Sequence, residues 1–119
     1  MLINLTNHPC DKWDEKQRTA AEVYGECVDM PFPNIDPHMD EADVSCLAEE
    51  YARRIVQLGV GCELTVHVMG EFTFCYALIQ WLQNARIRCV ASCTERDVTV
   101  AEDGSKQVRF HFARFREYV

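Results

Sequence analysis

A chain of 119 residues with 48% hydrophobic and 26% charged residues fits one domain around one core, and excludes a disordered or fibrous class. Its formal net charge of -7 argues against tracking a long DNA or RNA backbone, which draws on clustered Lys and Arg, but allows a small anion held by a few local donors. No run reaches the roughly 18 apolar residues of a membrane span, and the first residues lack the basic flank of a leader, so the sequence predicts a cytoplasmic protein with no membrane contact.

Residues 2–6 are apolar enough for a buried strand, which ends where proline follows Asn7 and His8. Asp14 or a neighbour can cap a helix reaching Tyr24, with Ala20, Ala21, Val23 and Tyr24 on or near its buried stripe and Gly25 as its stop. Residues 27–30 read as a second strand. Three of the four prolines fall in residues 31–37, an extended surface loop. Val44, Leu47, Ala48, Tyr51, Ile55 and Leu58 recur at steps of three and four, predicting an amphipathic helix over residues 41–58 closed by Gly59.

Residues 64–69 supply a third strand, and residues 72–85 a helix that is apolar almost all the way round. A helix of that kind is covered on two sides, which predicts a homodimer packed partly through Phe74, Leu78 and Trp81, or a central helix in the core. Residues 87–92 read as a fourth strand, and residues 98–101 and 108–115 as a hairpin turning at Asp103-Gly104. Strands alternating with helices predict an α/β fold, a Rossmann-like open and mainly parallel sheet with helices on both faces and a C-terminal β-hairpin. Seven cysteines, an odd number with no C-x-x-C pair, read as reduced thiols. Cys89 and Cys93 could join His8 or His67 at a metal, but lack a partner knuckle, so neither metal nor other cofactor is expected.

If the second and third strands flank the first, the winding reverses there, and ligands bind at such a crevice. Three polar corners then converge: Asn7-His8, the run Met69-Gly70-Glu71-Phe72-Thr73, and Cys93-Thr94-Glu95-Arg96. Gly70 would let free N–H groups at the helix start approach an anion, with Thr73 adding a hydroxyl. Arg96 could fix phosphate oxygens bidentately or pair with Glu95. His8 is either a proton carrier or a structural group before its proline turn. Glu71 would cap the helix or accept a ribose or base hydrogen bond, while His38, His67 and His111 read as structural or surface groups. No G-x-G-x-x-G, P-loop, H-E-x-x-H or nucleophile elbow occurs, which leaves dinucleotide oxidoreductases, NTPases, zinc peptidases and serine hydrolases without support.

These corners, with Asn7-His8-Pro9, Val68-Met69-Gly70-Glu71-Phe72, Ala91-Ser92-Cys93-Thr94-Glu95-Arg96 and the closing run from Val108 to Tyr118, give the chain its family likeness. It resembles, over nearly its whole length, the small stand-alone ring nucleases of type III CRISPR systems that carry a CRISPR-associated Rossmann fold. The resemblance implies a homodimer that binds a cyclic oligoadenylate, the tetra-adenylate foremost, across its two-fold axis. It implies metal-independent cleavage, in which a ribose 2′-hydroxyl attacks the adjacent phosphorus and leaves a 2′,3′-cyclic phosphate. On this reading His8, Asn7 and Arg96 are the catalytic candidates, and Gly70, Glu71, Phe72, Thr73 and Thr94 contact the ligand. A non-catalytic sensor of the same ring is the alternative.

Overall fold

The computed structural model describes residues 1–119, which form an α/β fold around a five-stranded mixed sheet. The strands are β1 (Leu2–Leu5), β2 (Cys27–Asp29), β3 (Thr65–Val68), β4 (Arg88–Val100) and β5 (Lys106–Glu117), arranged β2-β1-β3-β4-β5. The first four run parallel, and β5 returns antiparallel along β4. Such a sheet is compatible with a Rossmann-like fold. Since β1 has β2 on one side and β3 on the other, the winding reverses between β1 and β3, as the sequence reading required.

Helix α1 (Glu15–Ala21) begins at Asp14, whose side chain accepts from the Gln17 N–H, and continues as a 3-10 turn to Tyr24. Gly25 then takes φ 93°, a backbone conformation open to glycine, but Val23 is exposed rather than part of the buried stripe. Helix α2 (Glu41–Leu58) starts in a capping box, with Asp40 and Asp43 each accepting from the other's backbone N–H. Helix α3 (Phe72–Asn84) buries Phe74, Cys75, Leu78 and Leu82 on one stripe.

Alternation along the strands divides the apolar side chains between two clusters. Ile3, Leu5, Val66, Val68 and Cys89 pack with Val44, Ala48, Ala52 and Ile55 of α2 and with the buried stripe of α3. Leu2, Val90, Phe112 and Phe115 pack with Trp13 and Ala21. The dimer face predicted on α3 is therefore not available: Phe74 and Leu78 are fully buried within the protomer, and of the three residues only Trp81 is exposed. The second cover of α3 is α2.

The largest departure from the sequence reading concerns β4. Residues 93–96 do not turn away after a short strand but continue it, so the predicted fourth strand and the first arm of the hairpin are one strand of 13 residues. Beyond Val90 this strand has lost β3 as a neighbour and pairs with β5 alone, across a β-bulge at Cys93 and Thr94. The resulting two-stranded arm stretches a molecule only 25 Å thick to 53 Å in length. Cysteine also departs in part. Cys46, Cys62, Cys75, Cys89 and Cys93 are free thiols, whereas Cys10 and Cys27 form a disulfide between the β1–α1 loop and the start of β2. That bond removes part of the cysteine argument for a reducing compartment. No helix is long and apolar enough to cross a membrane.

Candidate functional site

Parallel strands end their hydrogen-bond ladders with carbonyls and loops at one edge, and a winding reversal leaves a gap there between diverging loops. A cavity of about 530 Å³ occupies that place, lined by Thr6, Asn7, His8, Lys12, Trp13, Asp14, Gln17, His67, Met69, Gly70, Ser92 and Thr94. Residues from the β1–α1 loop, α1, the β3–α3 turn and β4 meet around it. The crevice predicted at the switch point is present.

Its floor is a hydrogen-bonded chain that the sequence reading missed. Asn4 of β1 and His67 of β3 are register partners, both buried and both on the face away from α2. Asn4 Nδ2 donates to Asp29 Oδ1 at 2.8 Å and to the His8 carbonyl at 2.8 Å, which turns its Oδ1 toward His67 Nδ1, 2.9 Å away. Thr6 Oγ1 donates to the same oxygen at 3.0 Å. Because Asn4 Oδ1 only accepts, His67 carries its proton on Nδ1, leaving the Nε2 lone pair for the Ser92 hydroxyl at 2.7 Å. Gln17 Nε2 donates to Ser92 Oγ at 3.1 Å. The imidazole packs edge-to-face on both Trp13 and Phe115, at centroid distances of 5.4 and 5.3 Å, and those two rings are in contact with each other at 5.9 Å. Burial, followed by the nearby His8, lowers the His67 pKa to about 4, so the ring is neutral at physiological pH.

The predicted residues divide. Asn7, His8, Gly70 and Thr94 line the cavity; His8 does so from a loop pinned by its own carbonyl, which accepts from Asn4 Nδ2 and from Trp13 Nε1 at 3.1 Å. Arg96 does not reach it. Ser92, Thr94 and Arg96 share one face of β4, but Arg96 lies four residues, about 13 Å, farther along the strand than Ser92. Its backbone partner there is Phe110.

The anion cradle predicted at the head of α3 is already filled. Glu71 folds back so that its carboxylate accepts from the Thr73 N–H at 3.0 Å and the Phe74 N–H at 2.8 Å, and from the Thr73 hydroxyl. The free donors on which that expectation rested are consumed by the chain's own acid. Gly70 is required by packing: a Cβ there would meet the Phe32 ring at 2.4 Å. Phe72 stands at the start of the helix with its ring in solvent.

No three His, Cys, Asp or Glu side chains come together to hold a metal ion. Cys89 belongs to the α2–α3 cluster, on the sheet face opposite His67, and burial pushes its thiol up to about 12. That separation defeats the metal grouping considered from sequence.

With a polar pocket at a sheet switch point and a buried Asn–His–Ser chain on its floor, the comparison by sequence is informative about kinship. Residues 1–116 match the Uncharacterized protein MJ1673 family. The chain belongs to this family. None of the curated proteins matches it in sequence. Within this MJ1673-family chain, Asn4, His67 and Ser92 could have been noticed as polar residues placed singly at inward positions of apolar strands, where a polar group must find a partner.

Proposed function

We propose that the protein binds a cyclic oligoadenylate, the tetra-adenylate foremost, and cleaves it by metal-independent attack of a ribose 2′-hydroxyl on the adjacent phosphorus, acting in the cytoplasm to switch off type III CRISPR signalling. The observation that carries this reading is the open cavity at the β1–β3 switch point, to which three of the segments that carry the family resemblance contribute Asn7, His8, Met69, Gly70, Ser92 and Thr94. Lys12 on its wall offers positive charge to a phosphodiester, and Asn7 offers an amide to a ribose hydroxyl. Phe72 presents a free aromatic face on which an adenine can stack. The chemistry asks for orientation of the sugar and neutralisation of the phosphorane, which side chains can supply.

The cavity suits about one dinucleotide step, so a ring of four needs two such sites. A second copy joined through the β4–β5 arm supplies the other. Opposed residues on an antiparallel pair share a face, and on the face that carries Thr94 the arm presents Arg96 with Phe110 and Val98 with Val108. Val98, Val100, Val108 and Phe110 are all exposed in the protomer, an apolar row leading outward from the pocket.

The test is incubation of the pure protein with labelled cyclic tetra-adenylate in EDTA. Linear products ending in 2′,3′-cyclic phosphate support the nuclease, and stoichiometric retention without products supports a sensor. No retention and no products sinks both.

A further inference from the structure

We propose that Ser92 is a catalytic residue, its Oγ taking the proton of the attacking 2′-hydroxyl while passing its own to His67 Nε2. The inference rests on the cyclic oligoadenylate reading and supplies the base that reading lacks. It comes from counting hydrogen-bond valences. Ser92 Oγ spends its single proton on His67 Nε2 and one lone pair on Gln17 Nε2. A hydroxyl oxygen has two lone pairs, so one remains. Ser92 is only half-buried and lines the cavity, so that lone pair is within reach of a bound sugar.

The direction of transfer is fixed behind His67. Asn4 cannot rotate to offer its NH2 to the imidazole, because that group is held by Asp29 and by the His8 carbonyl. Nδ1 thus keeps its proton and Nε2 is the only site that can receive another. When it does, the Nδ1–H bond to Asn4 Oδ1 strengthens, and the Asp29 carboxylate on the far side of the amide polarises Asn4 in the favourable sense. The order Ser, His, Asn, Asp has the logic of a nucleophile or hydroxyl, a base, an orienting group and a charge behind it. Edge-to-face packing on the rings of Trp13 and Phe115 restrains the imidazole.

The step balances without a co-reactant. The bond from the 2′-oxygen to phosphorus forms and the bond from phosphorus to the 5′-oxygen breaks, its electron pair leaving with that oxygen. The 2′-proton goes to Ser92 Oγ and the serine proton to His67 Nε2; after cleavage Ser92 gives a proton to water in the cavity and recovers one from Nε2, while the 5′-oxygen takes a proton from water. Lys12 is the one lysine or arginine on the cavity wall and is placed to offset the phosphorane charge. The charged and titratable groups facing His67 are His8, Lys12 and Asp14 around the cavity and Asp29 through Asn4, and burial, followed by the nearby His8, keeps the resting imidazole unprotonated.

The experiment compares wild type, Ser92→Ala and Ser92→Thr with labelled cyclic tetra-adenylate in EDTA, reading affinity by titration and cleavage in single turnovers from pH 5 to 8. Ser92→Ala is expected to bind within about threefold of wild type and to cleave at least 100-fold more slowly, the usual scale of a lost base. Ser92→Thr keeps the hydroxyl and is expected within about tenfold of wild type. Wild type should be nearly level across this range, whereas the residue left in Ser92→Ala should climb about tenfold per pH unit as hydroxide takes over. Ser92→Ala cleaving at the wild-type rate, or losing affinity and rate in equal measure, overturns the relay while the nuclease stands. Wild type that leaves the ring intact overturns the nuclease reading and the relay with it.

Discussion

Asn4 and His67 face each other across the parallel pair of β1 and β3, with 2.9 Å between Asn4 Oδ1 and His67 Nδ1. Two polar side chains at the centre of a small sheet are costly to bury, and here each is satisfied: no buried side-chain nitrogen or oxygen lacks a partner. The resting arrangement favours neutral His67, because protonation would bury a charge at the centre of the sheet and remove the acceptor for Ser92.

That condition sets a pH dependence of stability. The folded His67 titrates at about 4 against 6.5 for a free histidine, so between these values the unfolded chain binds the extra proton. Stability from this group is complete above pH 6.5 and is lost as pH falls toward 4, on the order of 3 kcal/mol in all. Urea unfolding of wild type and His67→Gln at intervals from pH 7.5 to 4.5 measures it. The variant should be less stable at neutral pH and should lack one proton's worth of slope in that window. Parallel curves would mean that His67 is not held neutral.

Gly70 distinguishes packing from ligand approach. The Phe32 ring occupies the space of a Gly70 side chain, and it is held there edge-to-face on Phe74 at 5.3 Å. Gly70→Ala is therefore expected to cost about 1–3 kcal/mol, the range for overpacking. Combining it with Phe32→Leu should recover most of that loss, since the clash goes with the ring. A double variant no more stable than the single one would assign the glycine to some other constraint.

What could be read in advance follows from how strongly each segment is periodic and punctuated. Helix α2 carries Asp40 before it, Gly59 after it and an uninterrupted apolar stripe between, and it lies where the spacing predicts. Apolar strands alternating with helices predicted a mainly parallel sheet, and the flanking of β1 by β2 and β3, a condition of the site reading, is present. Residues 93–96 misled because Cys-Thr-Glu-Arg has the polarity of a corner, yet a two-stranded arm exposed on both faces tolerates the same polarity within a strand. The site was hidden for a different reason. Asn4 and His67 are 63 residues apart, and only the β1–β3 register brings them together. Likewise Met-Gly-Glu-Phe-Thr offers Glu71 both as a helix cap and as a ligand contact, and only the folded chain decides for the cap.

Glu71 has its own prediction. Its carboxyl sits below the usual range, held there first by the Thr73 hydroxyl and then by the Phe74 N–H. A carboxylate depressed in the fold stabilises at pH values above its unfolded pKa, and the contribution fades as acid protonates the folded group. Glu71→Ala should lower stability at pH 7 by about 1 kcal/mol, the usual worth of an N-cap, and Glu71→Gln by less because the amide oxygen still accepts. Thermal or urea melts at pH 7 and pH 3 test this. The difference between wild type and Glu71→Ala should narrow at the lower pH.

The arm carries the prediction about assembly. Val98 and Val108 oppose each other on β4 and β5, and Phe110 lies beside them opposite Arg96, all exposed in one protomer. Charged replacements there remove no core contact, so Val98→Glu with Phe110→Glu should fold normally by far-UV circular dichroism. Sedimentation equilibrium is expected to give twice the 13.7 kDa chain mass for wild type and the single mass for the double variant. Arg96 then becomes informative, because in one protomer it stands too far from the cavity to touch what lies over Ser92. If the arm brings a second pocket alongside, Arg96→Ala should leave the dimer intact and weaken cyclic tetra-adenylate binding by about tenfold or more, the scale of a lost charge-assisted hydrogen bond. Wild type sedimenting as a monomer at tens of micromolar would remove the shared site, and Arg96 with it, from any account of how the ring is held.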